Sequence, residues 1–134
     1  MAYEKIIVPG GAGLLGSHVV REMAGHARIT TLDIKEPEAK SQGVQDHINL
    51  SITNYEEIKK ALTGHDAVIH LAAIPNPREA DAKTIFDNNV EGAWTVLQSA
   101  EDAGIKRVVV ASSDSVFGLS YNPPRLASPI SSGG

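Results

Sequence analysis

The chain has 134 residues, a formal charge of −4 and 42% apolar residues, enough for one domain with a core of its own. This mild acidity, with a pI near 5.7, gives no electrostatic footing for nucleic acid or an anionic membrane, and the absence of cysteine excludes disulfides, thiolate catalysis and Cys-ligated metals. No apolar run approaches the ~18 residues of a membrane span, and Met1-Ala2-Tyr3-Glu4-Lys5 leads into the first strand without a signal-like segment, so a cytoplasmic protein is the default expectation.

The run Ile6-Ile7-Val8 predicts a buried strand over residues 5–8. Directly after it comes Gly10-Gly11-Ala12-Gly13-Leu14-Leu15-Gly16, then helical spacing over residues 14–24, with Leu15, Val19 and Met23 on one stripe and Gly25 as the stop. Gly10, Gly13 and Gly16 therefore sit at a strand-to-helix turn. There, glycines permit a tight turn, close approach of backbone to a pyrophosphate, and close packing of helix on strand. The free N–H groups at the helix start and the positive end of its dipole favour an anion. Glycine also serves any tight loop, so the turn alone does not decide. A P-loop shares the glycine spacing, but Ser17-His18 stands where Lys-Ser/Thr is required.

Residues 28–33 predict the second strand, ending in Asp33 about 20 residues after the turn, where a carboxylate accepts hydrogen bonds from the adenosine ribose. The plainer alternative is a solvated strand end. Asp33 would repel a 2′-phosphate and no Arg adjoins it, which favours NAD over NADP. Residues 34–43, with Pro37 and mixed charges, read as a connection, and 44–50 as a third strand interrupted by Gln45, Asp46 and His47. Thr53 with Glu56 makes a capping-box pattern for a helix over 54–62, closed by Gly64. Residues 67–71 predict the fourth strand.

Pro75 and Pro77 hold the next loop away from helical geometry. A long helix follows, from residue 78 or 82 to 103, with Phe86, Val90, Ala93, Leu97 and Ala100 as its apolar stripe and Trp94 as a packing residue. Residues 107–111 predict the fifth strand. Beyond Gly118, Ser, Pro and Gly dominate with neither helical nor strand period, so residues 1–118 are expected to form the domain and 119–134 a tail without a core.

Strands alternating with helices predict an α/β fold, a Rossmann-type doubly wound parallel sheet in the order 3-2-1-4-5. Ligands bind such sheets outside the carboxyl ends of the strands, where the order reverses between strands 1 and 4. Residues 10–16, Asp33, residues 71–74, Ser112 and Ser113 all follow strand ends on that edge. The histidines at 18, 26, 47, 65 and 70 show no metal-ligand spacing.

With these pieces placed, the sequence resembles the N-terminal portion of an extended short-chain dehydrogenase/reductase, the NAD-dependent epimerase/dehydratase family that works on nucleotide sugars. The stretches that carry the resemblance are Gly10-Gly11-Ala12-Gly13-Leu14-Leu15-Gly16-Ser17-His18, Asp66-Ala67-Val68-Ile69-His70-Leu71-Ala72-Ala73, Asn88-Asn89-Val90-Glu91-Gly92 and Ser112-Ser113-Asp114-Ser115-Val116-Phe117-Gly118. It implies NAD as cofactor, with Leu14 and Leu15 over the pyrophosphate and Asp33 and Ile34 at the adenosine ribose. It places Asn49 and Leu50 at adenine, and Leu71, Ala72 and Ala73 beneath the nicotinamide half. Asn88 and Asn89 match positions that touch the cofactor or brace an active-site water. Ser112 is expected beside the cofactor, and Ser113 matches the catalytic serine.

Two departures stand out: Pro9 replaces a frequent threonine, and Asn49-Leu50 replaces a frequent Asp-aliphatic pair. An Asn carbonyl can still accept from the adenine amino group. The family's Tyr-x-x-x-Lys follows well after the serine, and the sequence ends before it. Tyr121 with Arg125 imitates the spacing, but Pro123 and Pro124 forbid a regular helix between them, and Arg does not replace Lys. The sixth strand and substrate region are missing too. The expectation is a truncated member that binds dinucleotide without turnover alone, its nucleotide-sugar substrate engaged only if completed; the alternative is a non-catalytic dinucleotide-binding or interaction module. The long helix, short of one neighbour, is expected to expose apolar surface and to favour a homo-oligomer.

Overall fold

The protein is represented by a computed structural model that describes residues 5–37 and 43–117. The expected tail at 119–134, with Tyr121 and Arg125, lies outside the described residues. Five strands, β1 (Lys5–Pro9), β2 (Arg28–Asp33), β3 (Val44–Asn49), β4 (Ala67–His70) and β5 (Arg107–Val110), form one parallel sheet in the order β3-β2-β1-β4-β5. β1 lies at the reversal, with Ile6 in register with Ile29 on one side and Ala67 on the other. Ile6, Ile7 and Val8 are all buried, so the central strand needs cover on both faces.

That cover comes from α1 (Leu14–Met23) on one face and from α2 (Tyr55–Leu62) and α4 (Gly92–Asp102) on the other, α4 being preceded by the short α3 (Ala82–Phe86). Alternate side chains of β1 feed two cores. Ile7 packs with Leu32, Ile58, Leu62, Val68 and Val96, while Ile6 and Val8 pack with Val20, Ile29 and Ala67.

Several expectations shift. On α1 the buried residues are Gly16 and Val20, with Leu15 exposed. Gly16, having no Cβ, lies against the Gly10–Gly11 backbone and fixes which face turns inward. α2 starts one residue later, and its cap is Asn54, whose side chain accepts from the Glu57 N–H at 3.3 Å; Thr53 instead bonds Ser51 through their hydroxyls. β3, β4 and β5 each stop one residue short of the predicted end.

The largest shift concerns the long helix. Between α3 and α4 runs a π turn, Asp87–Glu91, closed by the Gly92 N–H donating to the Asp87 carbonyl. Its extra residue rotates everything downstream. α4 consequently buries Gly92, Thr95, Val96, Ser99 and Ala100, whereas Phe86, Val90 and Leu97 of the expected stripe are exposed. Gly92 sets this face, because a Cβ there would come within 2.6 Å of the Ile52 side chain. Trp94, 60% exposed, stacks on Tyr55 with ring centroids 6.3 Å apart. The apolar surface expected on this helix is therefore present.

Candidate functional site

The β1–α1 turn opens at the carboxyl edge of the sheet, and its three glycines do different work. Gly10 has φ +85°, and a Cβ on it would collide with the Ala72 backbone nitrogen. A Cβ on Gly16 would collide with the Gly10 carbonyl oxygen. These two are required by the chain's own packing, which draws α1 and the end of β4 onto the turn. Gly13 is unlike them. Its φ of −75° suits any residue, and a Cβ would touch only the Gly10 carbonyl, at 3.3 Å. The space before it is open.

Gly13 is also the N-cap of α1, and a glycine has no side chain to cap with. Its first turn contains no acidic residue. Gly13 N–H donates to the Gly10 carbonyl and Ser17 N–H to that of Gly13; the N–H groups of Leu14, Leu15 and Gly16 between them have no acceptor among the described residues. Leu14 is 83% exposed, so this helix start faces solvent with unsatisfied donors and the positive end of a dipole. An anion with several acceptor oxygens complements it.

Asp33 is tied to the turn. Its Oδ2 accepts from the Ala12 N–H at 3.2 Å and its Oδ1 from the Lys35 N–H at 3.1 Å, and each oxygen retains a lone pair for another donor. Ile34 beside it is exposed. Asn49 donates through Nδ2 to the Ile34 carbonyl at 3.4 Å and to Glu36 Oε1 at 3.5 Å, leaving its Oδ1 as an acceptor. Leu50 N–H donates to the Asp33 carbonyl at 3.1 Å. Asp33, Ile34, Asn49 and Leu50 thus form one wall. A shallow recess of about 430 Å³, lined by Ile48, Asn49, Leu50, Glu57, Lys60 and Ala61, adjoins it on the α2 side.

The opposite wall follows β4. Leu71 N–H donates to the Pro9 carbonyl at 2.8 Å, and Ala72 packs on Gly10, so residues 71–73 run beside the glycine turn with Ala73 next in line. Ile74 is then clamped by Asn89, whose Oδ1 accepts from the Ile74 N–H at 2.8 Å while its Nδ2 donates to the Ile74 carbonyl at 3.0 Å. Asn88 donates to the same Oδ1 at 2.9 Å. Both asparagines stand in the π turn, and their amides brace the loop. Past β5, Ser112 and Ser113 are exposed, and Ser113 Oγ accepts from the Ser115 N–H at 3.1 Å. That leaves the Ser113 hydroxyl proton free to donate.

Two histidines at this edge carry no motif that singles them out in the sequence. His47 Nδ1 lies 2.8 Å from Thr31 Oγ1, and its Nε2, buried without a hydrogen bond, lies 3.9 Å from Glu36 Oε2. His70 is 4% exposed with an unpartnered Nδ1, and burial pushes its pKa down. A histidine closing an apolar run was the one signal available for His70. The Tyr-x-x-x-Lys spacing does occur once before the serine, at Tyr55 and Lys59 in α2. There Tyr55 Oη donates to Asp102, and that bond raises its pKa, the reverse of what proton abstraction needs. Lys59 reaches the same carboxylate at 3.4 Å, so the pair ties α2 to α4. Among the described residues no group of three or more His, Asp or Glu is placed to hold a metal ion, and no helix is long and apolar enough to cross a membrane.

The profile of the NAD dependent epimerase/dehydratase family matches residues 6–131. The sequence is 33% identical over 118 residues to the L-arabinose 1-dehydrogenase (NAD(P)(+)) of Haloferax volcanii, covering 88% of this chain and 44% of that protein. It is 35% identical over 134 residues to the UDP-glucose 4-epimerase of Lactobacillus helveticus, covering 90% of this chain and 38% of that one. Among solved structures, UDP-glucose-4-epimerase from Stenotrophomonas maltophila, with bound NAD and formylated UDP-arabinopyranose, superposes with a TM-score of 0.74 at 26% identity, over 85% of this chain and 38% of that chain. The chain spans less than half the length of each of these relatives.

Proposed function

The chain belongs to the NAD dependent epimerase/dehydratase family, and we propose that it is the NAD-binding portion of an epimerase/dehydratase-type oxidoreductase acting on a nucleotide sugar or a related sugar. The observation that carries this reading is the start of α1, where Gly13 leaves open a place that the fold does not need open and the Leu14, Leu15 and Gly16 N–H groups lack acceptors. In this reading the pyrophosphate takes those donors. Asp33 and Ile34 hold the adenosine ribose, Asn49 Oδ1 and Leu50 the adenine, and Leu71, Ala72 and Ala73 leave room for the nicotinamide half, with Ser112 beside it. Asn88 and Asn89 act on that half through the Ile74 backbone they clamp.

NAD, when bound, accepts or returns a hydride at its nicotinamide ring. Ser113 is the catalytic residue these positions supply. Its Oγ already accepts from Ser115 N–H, so its proton is presented to a substrate oxygen, holding the carbon beside it in place for hydride transfer. The 134 residues contain no Tyr-x-x-x-Lys after Ser113, and turnover would draw its general base from outside them.

Thermal unfolding of the chain with and without dinucleotide tests the reading. A ligand bound only by the folded state, at a hundredfold excess over its Kd, stabilises it by about 2.7 kcal/mol. We expect a rise in Tm with NAD that Gly13→Val abolishes. No rise with either NAD or NADP would reject it.

A further inference from the structure

We propose that Glu36 is a second specificity-determining carboxylate, acting with Asp33 against a dinucleotide that carries a 2′-phosphate. The inference rests on the dinucleotide-binding reading above. Asp33 alone is a modest selector here, since both its oxygens already receive backbone N–H groups that offset its charge, and Lys35 follows two residues later with a cation. Among the described residues, Glu36 restores the negative balance at this end of the site.

Its carboxylate is held at the wall where the adenosine end would lie. Asn49 Nδ2 is shared between the Ile34 carbonyl and Glu36 Oε1, which places the Glu36 carboxylate beside Ile34 and Asn49. From the other side it faces His47. His47 Nδ1 lies 2.8 Å from the Thr31 hydroxyl oxygen, and its Nε2 faces Glu36 Oε2 across 3.9 Å. The His47 side chain is only 13% exposed and that nitrogen has no hydrogen bond among the described residues, so Glu36 is the carboxylate that faces this buried nitrogen. One hydrogen bond and one close approach from β3 thus position a glutamate that is otherwise 75% exposed. Among the described residues, a phosphate on the ribose 2′-oxygen meets two carboxylates and one lysine, whereas a 2′-hydroxyl meets no such repulsion.

Calorimetric titration of the full chain with NAD and with NADP, for the parent, Glu36→Gln and Lys35→Gln, tests this. Glu36→Gln should raise NADP affinity by about fivefold, the upper end for an exposed charge pair, and leave NAD affinity within about twofold. The gain should shrink between about 0.05 M and about 0.5 M salt as screening grows, and Lys35→Gln should move NADP affinity the opposite way. Glu36 is exposed, so the variant should keep the parent circular dichroism and Tm. NADP affinity unchanged in Glu36→Gln, with NAD still bound, overturns the selector and leaves the dinucleotide reading standing. Equal loss of both nucleotides makes Glu36 part of the pocket structure and also overturns it. A parent chain that binds neither nucleotide removes the reading and the selector together.

Discussion

Two helices begin at the same edge of the sheet and are finished in opposite ways. α2 closes its own N-terminus: Asn54 accepts from the Glu57 N–H, and Glu56 and Glu57 place acidic side chains in the first turn. α3 does likewise, through Asp81 accepting from the Thr84 N–H at 3.1 Å. α1 has Gly13 where those helices have a capping side chain, no acid in its first turn, and two exposed leucines. Glycine in place of a capping side chain gives up only about a few tenths of a kcal/mol, and it leaves the donors of this helix start open to something else.

Substitutions that blur this difference should have graded effects. The largest falls on the glycines that build the turn rather than the one that leaves it open. Gly16→Val drives side-chain atoms into the Gly10–Gly11 backbone and should cost on the order of 3 kcal/mol, read as a lower urea midpoint without any ligand. Gly13→Asp makes α1 resemble α2. It supplies a capping carboxylate worth a few tenths of a kcal/mol over glycine, and fills the open position with like charge. Calorimetry should show dinucleotide affinity falling by at least about tenfold, roughly 1.4 kcal/mol, while the Tm of the free chain holds or rises. Asn54→Ala makes α2 resemble α1 instead, and should cost about 1 kcal/mol in urea unfolding with dinucleotide affinity unchanged.

A pH series gives the smallest effect. On the α2 face of the sheet, burial lowers the pKa of His70, and of the partly buried His65, below the ordinary value of 6.5. The folded state therefore holds fewer protons than the unfolded chain below that pH. Stability should be full above about pH 6.5 and decline as pH falls toward the lower folded values. His70→Leu, which removes the unpartnered Nδ1, should flatten part of that decline in Tm measured from pH 7.5 to 5.5.

Much of this edge was legible from residues close together in the chain. Gly10, Gly13 and Gly16 after Ile6-Ile7-Val8, and Asp33 at the end of the next apolar run, are local patterns, and the structure joins them through the Ala12–Asp33 hydrogen bond. Asn88 and Asn89 were legible as a pair but not in their action. A π turn cannot be read from period, and it turns Asn89 onto the Ile74 backbone. The contact of Glu36 with His47 was not legible at all, because nothing in sequence says that a residue of the connection after β2 will face one on β3.

The sequence by itself determined the alternation of strands and helices, the sheet order and the place of the glycine turn. Apolar runs, turn residues and right-handed crossovers are each properties of short segments or of chain chirality. Only the tertiary structure decided which face of each helix is buried. The stretch from α3 to α4 offers two usable stripes, and its apolar period favours Phe86, Val90 and Leu97, yet the small residues Gly92, Thr95, Ser99 and Ala100 face inward with Val96. Close approach to Ile52 admits no side chain at Gly92, and the extra residue of the π turn sets the rotation that brings that glycine there. Distance of approach between elements is a property of the packed pair, and no single helix's periodicity contains it.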